Sequence, residues 1–286
     1  MRVAALNIFP VKGMRAVDVE RAELQMRGFG GDRRWLVVDQ QGLFATQRTH
    51  QLLATVTVKP HGSGLQLSLP GVQTVEVARP SGQQRMSVTV WDARVDAAVA
   101  DDAAHAWLSK VLGAPVTLVY MDQETERLKS SLWVAEPIPV SFADAYPVLV
   151  VNTGSLAALN AEIECAGGVA VSMSRFRPNV VIDCDDAWRE DFWKVLRIGS
   201  IELELVKPCD RCIVTTTDQL TSERHGPEPI ASLVRLRQSG DPRINGVLFG
   251  WNAIPRVLGS ISVGDDVEIL ETRPEGFPIR QSRAVS

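Results

Sequence analysis

Over the first hundred positions hydrophobic and polar residues fall into short runs that read as strands, at residues 3–9, 35–39, 52–59, 65–69, 74–78, 86–91 and 94–99. Turn formers separate them: Gly30-Gly31-Asp32, Gln41-Gly42, His61-Gly62-Ser63-Gly64, Pro70-Gly71 and Pro80-Ser81-Gly82. That rhythm predicts an antiparallel barrel or sandwich. At Asp101 or Asp102 the pattern changes to a capped helix. Ala104, Trp107, Leu108, Val111 and Leu112 lie at helical spacing, and Gly113 is its stop. A strand at 116–121 follows, and the polar stretch 122–131 reads as a mobile loop.

The second half opens on a buried-looking strand at 147–151. Asn152-Thr153-Gly154-Ser155 then caps a helix carrying Leu156, Leu159 and Ile163. Strands are expected at 179–183, 197–206 and 212–217, and a helix at 229–238 with Ile230, Leu233 and Val234 on one face. Two short strands, at 257–261 and 266–270, complete the pattern. From Arg273 the chain is rich in Pro, Gly and Arg, which predicts a disordered tail. The fold class expected is mainly β with some α (α+β). It comprises an N-terminal β-barrel-like domain at 1–118, a second mainly β domain at 119–272 and a tail at 273–286.

Composition narrows the function. A 286-residue chain with 45% hydrophobic and 22% charged residues has the make-up of a soluble globular protein. Net charge is −4 and Lys and Arg form no cluster, which argues against nucleic acid and anionic membrane as partners. No apolar run approaches the ~18 residues of a membrane helix. Four cysteines without a signal peptide point to a reducing compartment, the cytoplasm.

The chemistry concentrates near the second half's longest alternating run. Ile201, Leu203 and Leu205 alternate with Glu202, Glu204 and Val206, and Pro208 is expected to end that strand because it cannot donate to a ladder. The turn Lys207-Pro208-Cys209-Asp210-Arg211-Cys212 sets two thiols beside two cations. Nearby cations favour the thiolate, which is both nucleophile and metal ligand. Three chemistries compete for such a pair. Structural zinc needs four ligands, but Cys165 and Cys184 form no second knuckle, and His50, His61, His105 and His225 are scattered. A dithiol of the thioredoxin kind needs a helix N-terminus, and Ile213-Val214-Thr215-Thr216-Thr217 is β-branched. A soft metal held by one thiolate, with its other ligands on a bound cofactor, fits the shortage of protein ligands better.

Three further segments suit an anion. Pro10-Val11-Lys12-Gly13 offers an ammonium and an unhindered backbone N–H. Gly31-Asp32-Arg33-Arg34-Trp35 and Ser174-Arg175-Phe176-Arg177-Pro178-Asn179 place arginines, whose forks match phosphate oxygens, at strand entries.

These segments, in this order, resemble the molybdenum cofactor sulfurase C-terminal (MOSC) family. Within it they resemble the subgroup with an N-terminal β-barrel domain, the YcbX-like proteins and the mitochondrial amidoxime-reducing component. The matching stretches are Pro10-Val11-Lys12, Gly31 to Trp35, Arg177-Pro178-Asn179-Val180-Val181-Ile182, Ile198-Gly199, and Cys209-Asp210-Arg211-Cys212-Ile213-Val214-Thr215-Thr216. Near the end, Gly250 and Val263-Gly264-Asp265 also fit.

The resemblance implies molybdenum on molybdopterin, ligated by Cys212. It implies that Lys12, Arg33, Arg177, Asn179 and Arg211 hold the pterin and its phosphate, and that Thr153 and Ser155 fall near a further contacting stretch. Cys209 and Cys184 match positions often held by Cys without being the ligand, and read as small buried hydrophobes. Two departures stand out: Gly13 replaces the usual Ser, and Asp210 replaces the usual Ser between the cysteine and Arg211. A carboxylate there repels anionic oxygens unless a cation offsets it, and Asp210 is the one nearby acid for proton delivery.

The function implied is a molybdenum-dependent oxidoreductase that reduces N-hydroxylated compounds. Relatives with a C-terminal two-iron ferredoxin domain carry cysteines this chain lacks. A separate flavin, iron–sulfur or haem protein is therefore expected to supply the electrons. The alternative is a carrier of cofactor or of a persulfide on Cys209 or Cys212, without turnover.

Overall fold

The computed structural model describes residues 1–280. It is mostly β with three α-helices among the described residues, as the sequence pattern predicts. The largest layer is an eight-stranded sheet. Its order is Val17–Asp18, Arg2–Ile8, Val180–Asp183, Val148–Asn152, Val247–Val257, Ile201–Arg211, Trp193–Ile198 and Val267–Thr272. The first strand of the chain thus pairs antiparallel with Val180–Asp183, Leu6 facing Val180. Val148–Asn152 and Val180–Asp183 are parallel and are connected through the helix Thr153–Cys165. Val3, Leu6, Val148, Val150, Val180, Ile182, Trp193, Leu203 and Trp251 form the core on one face of this sheet.

The N-terminal half supplies two smaller sheets. One runs Trp35–Val38, Thr117–Tyr120, Ala93–Val99, Arg85–Val90, and the other is the meander Thr57–His61, Gly64–Leu69, Val72–Val77. The helix Asp102–Leu112 is capped by the Asp101 side chain on the Ala104 N–H and ends at Gly113 in the left-handed region. It buries Ala104, Trp107 and Leu108 against a core of Trp35, Leu53, Val58 and Leu67.

The structure departs from the sequence reading in several places. The single strand expected at 197–206 is two strands, Trp193–Ile198 and Ile201–Arg211, paired antiparallel across Gly199 and Ser200, and the strand Val247–Val257 occupies a stretch where none was expected before residue 257. Residues 52–55, expected as strand, belong to the 3-10 turn Gln51–Thr55. The polar stretch 122–131 is pinned rather than loose. Asp122 and Thr125 bond Arg85, Arg127 is buried, and Leu128–Ser131 pairs with Val134–Pro139. Pro208 does not end its strand: Ile201–Arg211 continues to the cysteine turn, with Pro208 opposite Trp251 and pairing irregularities on both sides. Bulges are where a sheet tolerates a residue without an N–H. Residues 213–216, expected as strand, form a 3-10 turn, because Thr215 and Thr216 turn their hydroxyls back onto the carbonyls of Cys212 and Ile213. Finally, residues 273–280 are not a disordered tail. Arg273 donates to the carbonyls of Trp193 and Leu205, Phe277 packs edge-on against Trp251, and Arg280 N–H bonds the Gln238 carbonyl. Residues 281–286 lie outside the described residues.

Candidate functional site

Backbone pairing brings the separate motifs together. The Lys12 N–H donates to the Trp35 carbonyl, the Arg33 N–H to the Phe9 carbonyl, and the Asn7 N–H to the Asn179 carbonyl. Segments 10–13, 31–35 and 175–179 thus meet where the first strand leaves the large sheet. The bulged end of Ile201–Arg211 delivers the cysteine turn to the same place. The result is a cleft of about 780 Å³, lined by Lys12, Arg33, Arg177, Asn179, Cys209, Asp210, Arg211 and Cys212, among others. Of the cationic positions named from sequence, Lys12, Arg33, Arg175, Arg177, Lys207 and Arg211 line this cleft, whereas Arg34 turns away to the Met121 and Asp122 carbonyls.

Eight cations line this cleft (Lys12, Arg33, Arg48, Lys129, Arg175, Arg177, Lys207 and Arg211) against the three carboxylates of Asp92, Asp144 and Asp210. In a chain of net charge −4 that segregation marks an anion site. The two arginines at its base sit on backbone that a side chain rarely adopts, Arg33 at φ +50° and Arg177 at φ +55°. Both guanidinium groups pack on Phe9, at 4.5 and 4.3 Å from its ring centre. Asp32, 1% exposed, neutralises Arg33 at 2.6 Å and accepts from the Phe9 N–H and from Asn179. Asn179 is used up in turn, accepting from the Leu149 N–H and from Arg33 and donating to the Asn7 carbonyl. It therefore acts here as the brace that fixes the arginines.

Arg177 differs. It bonds the Gln219 amide at 3.2 Å, and no carboxylate pairs with it among the described residues. Burial, and then the Arg33 guanidinium, hold its charged form at a disadvantage. A half-buried cation with no carboxylate paired to it is a place for an anionic ligand.

Lys12 donates to the Phe142 carbonyl at 2.8 Å and to Asp144 at 2.5 Å. Burial pushes its ammonium down to about 8, outweighing the attraction of Asp144. The Asp144 side chain stays 70% exposed, and Lys12 and the Trp91 indole N–H hold its carboxyl well below the ordinary range. Gly13 adopts φ +85°, a conformation that glycine takes without strain, so the departure from the expected serine has a local backbone reason. The other departure is compensated: Lys207 pairs with Asp210 at 2.5 Å.

The two thiols are unlike each other. Cys209 is half-buried among Phe176, Phe249 and their neighbours, and burial pushes its thiol up. Cys212 is exposed at the head of the 3-10 turn, with the Arg48 guanidinium 3.4 Å from its sulfur. Arg211 between them points back, donating to the carbonyls of Phe176 and Phe249. Gly250 makes room for this: a Cβ there would meet Val151 at 2.6 Å and Arg211 at 3.6 Å.

Thr153 and Ser155 are not brought to this cleft. Asn152 caps the helix, Thr153 bonds the backbone of Cys184, and buried Ser155 donates to Glu190 while accepting from the Trp188 N–H. Their hydroxyls serve the scaffold. Conversely, sequence reading missed Arg48, Trp91, Asp144 and the reciprocal Gln47–Gln219 amide pair at 3.0 Å, which joins the two halves of the cleft. Among the described residues no cluster of three or more His, Cys, Asp or Glu side chains could hold a metal. A metal at Cys212 would take its remaining ligands from a bound group, and the donor set of one open thiol beside a cationic pocket fits an anionic cofactor carrying a soft metal.

The chain is similar in sequence to known proteins. The model of the MOSC N-terminal beta barrel domain matches residues 1–115, and that of the MOSC domain matches residues 137–268. The chain is 31% identical over 284 residues to mitochondrial amidoxime-reducing component 1 of Homo sapiens, which covers 94% of this chain and 82% of that protein. It is 30% identical over 279 residues to the Danio rerio protein of the same name, covering 93% and 83%. Against mitochondrial amidoxime reducing component 2 of Homo sapiens it is 28% identical over 280 residues, covering 93% and 82%. Both matched domains contribute residues to the cleft, and the chain belongs to the MOSC family, with an MOSC N-terminal beta barrel domain preceding the MOSC domain.

Proposed function

We propose that the cleft holds a molybdenum–molybdopterin cofactor, with Cys212 as the protein's metal ligand, and that the chain reduces N-hydroxylated compounds. The observation that carries this reading is the exposed Cys212 thiol in a cleft with excess cations and an uncompensated Arg177. The name of the amidoxime-reducing relatives supports the substrate class. When bound, the cofactor supplies the two-electron redox chemistry that cleaves an N–O bond.

The chain's own residues bind and orient. Arg177 and Lys12 offer charge to a phosphate, and the Asp32–Asn179 brace keeps Arg33 in place. Arg48 donates beside the Cys212 sulfur, within reach of a polar oxygen delivered there. Reduction of each N–O bond consumes two electrons and two protons and releases water. Asp144 pairs with Lys12 and Asp210 with Lys207; Asp210 is the acid that delivers a proton to the reacting oxygen, and the other proton enters through water in the open cleft. Electrons come from a separate flavin, iron–sulfur or haem protein.

The test is the molybdenum and pterin content of Cys212→Ser and Cys209→Ser, purified after growth with ample molybdate, with circular dichroism as the control for folding. Loss in Cys212→Ser alone is the expected result. Equal loss in both variants would revive a dithiol site.

A further inference from the structure

Trp91 is held where a bulky side chain is unusual. It is the first central residue of the two-residue turn joining Arg85–Val90 to Ala93–Val99, in which Val90 faces Ala93, and its φ is +58°. Glycine is the usual occupant of such a position when φ is positive. Burial does not compensate, because Trp91 remains 43% exposed. Its orientation is nevertheless fixed on three sides. The indole N–H donates to Asp144 Oδ1 at 2.9 Å, the Arg48 guanidinium lies 4.8 Å from the ring centre, and Phe44 meets it edge-on at 5.1 Å. Arg48 also touches the Cys212 sulfur, so one guanidinium bridges the indole and the open thiol. Strained backbone that the surroundings hold in place is concentrated at functional sites.

We propose that Trp91 is a specificity-determining residue, a stacking platform at the mouth of the cleft that selects planar conjugated N-hydroxylated molecules over saturated ones. This rests on the reductase reading of the same cleft. A flat ring laid on the exposed part of the indole gains aromatic contact that a puckered ring of equal size does not. Arg48 then donates to the N–O oxygen on the side facing Cys212. Asp144 Oδ1 is occupied by Lys12 and Trp91, while Oδ2 accepts no hydrogen bond among the described residues and is free for an N–H of the same substrate.

The experiment uses the full chain, cofactor-loaded, as wild type, Trp91→Leu and Trp91→Phe. Two uncharged, unreactive probes, benzamide and cyclohexanecarboxamide, are titrated by ligand-observed NMR. In parallel, kcat and KM are measured for the two corresponding amidoximes with reduced methyl viologen. Wild type should favour the planar probe about fivefold, as one aromatic contact provides. Trp91→Leu should abolish that preference, and Trp91→Phe should keep part of it. In turnover the loss should appear in KM for the planar substrate, with kcat little changed. Equal affinities in wild type, or an unchanged ratio in Trp91→Leu, overturn the proposal. Binding needs no turnover, so the two failures separate. A planar preference without reduction leaves the platform standing and removes the reductase. Reduction without a planar preference does the reverse.

Discussion

Replacing Arg177 by methionine tests whether the cleft is built for an anion. The guanidinium carbons of Arg177 and Arg33 lie 4.3 and 4.5 Å from the same Phe9 ring centre. They are therefore no more than about 9 Å apart, and at an effective dielectric constant of about 20 the bare charges repel by about 2 kcal/mol, a repulsion that the Asp32 carboxylate on Arg33 offsets in part. Arg177→Met removes that repulsion together with the cost of burying an unpaired charge. It forfeits the Gln219 hydrogen bond, worth about 1 kcal/mol, and the contact with Phe9, worth about 1 kcal/mol. Methionine keeps most of the apolar stem, so the cofactor-free variant should stay within about 1 kcal/mol of wild type. Removing one partner of a satisfied buried ion pair would instead cost about 3–5 kcal/mol. The same change should cut affinity for pyrophosphate by on the order of tenfold or more, since a hydrogen bond between charged groups is worth about 1.5–3 kcal/mol. Urea denaturation followed by tryptophan fluorescence, with pyrophosphate or sodium chloride at matched ionic strength, reads both quantities. In wild type, pyrophosphate at a hundred times its Kd should add about 2.7 kcal/mol. A loss above about 3 kcal/mol without anion, or an undiminished response to pyrophosphate, would refute the reasoning.

Two further outcomes follow from the same contacts. Asp32→Asn should cost about 3 kcal/mol in urea denaturation, because it leaves the Arg33 guanidinium buried without its counter-ion; a shift under about 1 kcal/mol would show that Asn179 alone suffices. The Lys12 ammonium titrates near 8 in the folded chain against an ordinary value of 10.5. Between those values the unfolded chain holds a proton the folded chain has released, so the stability of the cofactor-free protein should rise with pH through that window. Lys12→Met should flatten the rise, and a parallel pH profile in the variant would contradict the assignment.

Much of this site was legible in the sequence, for a physical reason. Lys12 and Arg177 stand next to Gly13 and Pro178, Arg33 follows the Gly30-Gly31-Asp32 turn, and the cysteine turn is singular in the chain. Their convergence was not legible, because it depends on the first strand pairing with Val180–Asp183 across more than half the chain. Arg48, Trp91 and Asp144 carried no signal, since each is a single residue on a loop or turn whose meaning comes only from docking against the other domain. Thr153 and Ser155 misled because hydroxyls at a helix start suit a ligand and a local backbone equally well, and here the backbone of Cys184 and the buried Glu190 take them. The β-branched run after Cys212 misled in the same way: threonine hydroxyls bonded to nearby carbonyls outweighed β propensity.

The central claim meets its most direct test in a turnover assay that needs no protein partner. Molybdenum-loaded protein, with reduced methyl viologen as a small electron donor, should convert benzamidoxime to benzamidine and 6-hydroxylaminopurine to adenine, and should do neither with NADH or NADPH alone. If both substrates remain untouched while mass spectrometry finds Cys209 or Cys212 heavier by one sulfur atom, the reductase account is wrong and the chain is a sulfur carrier.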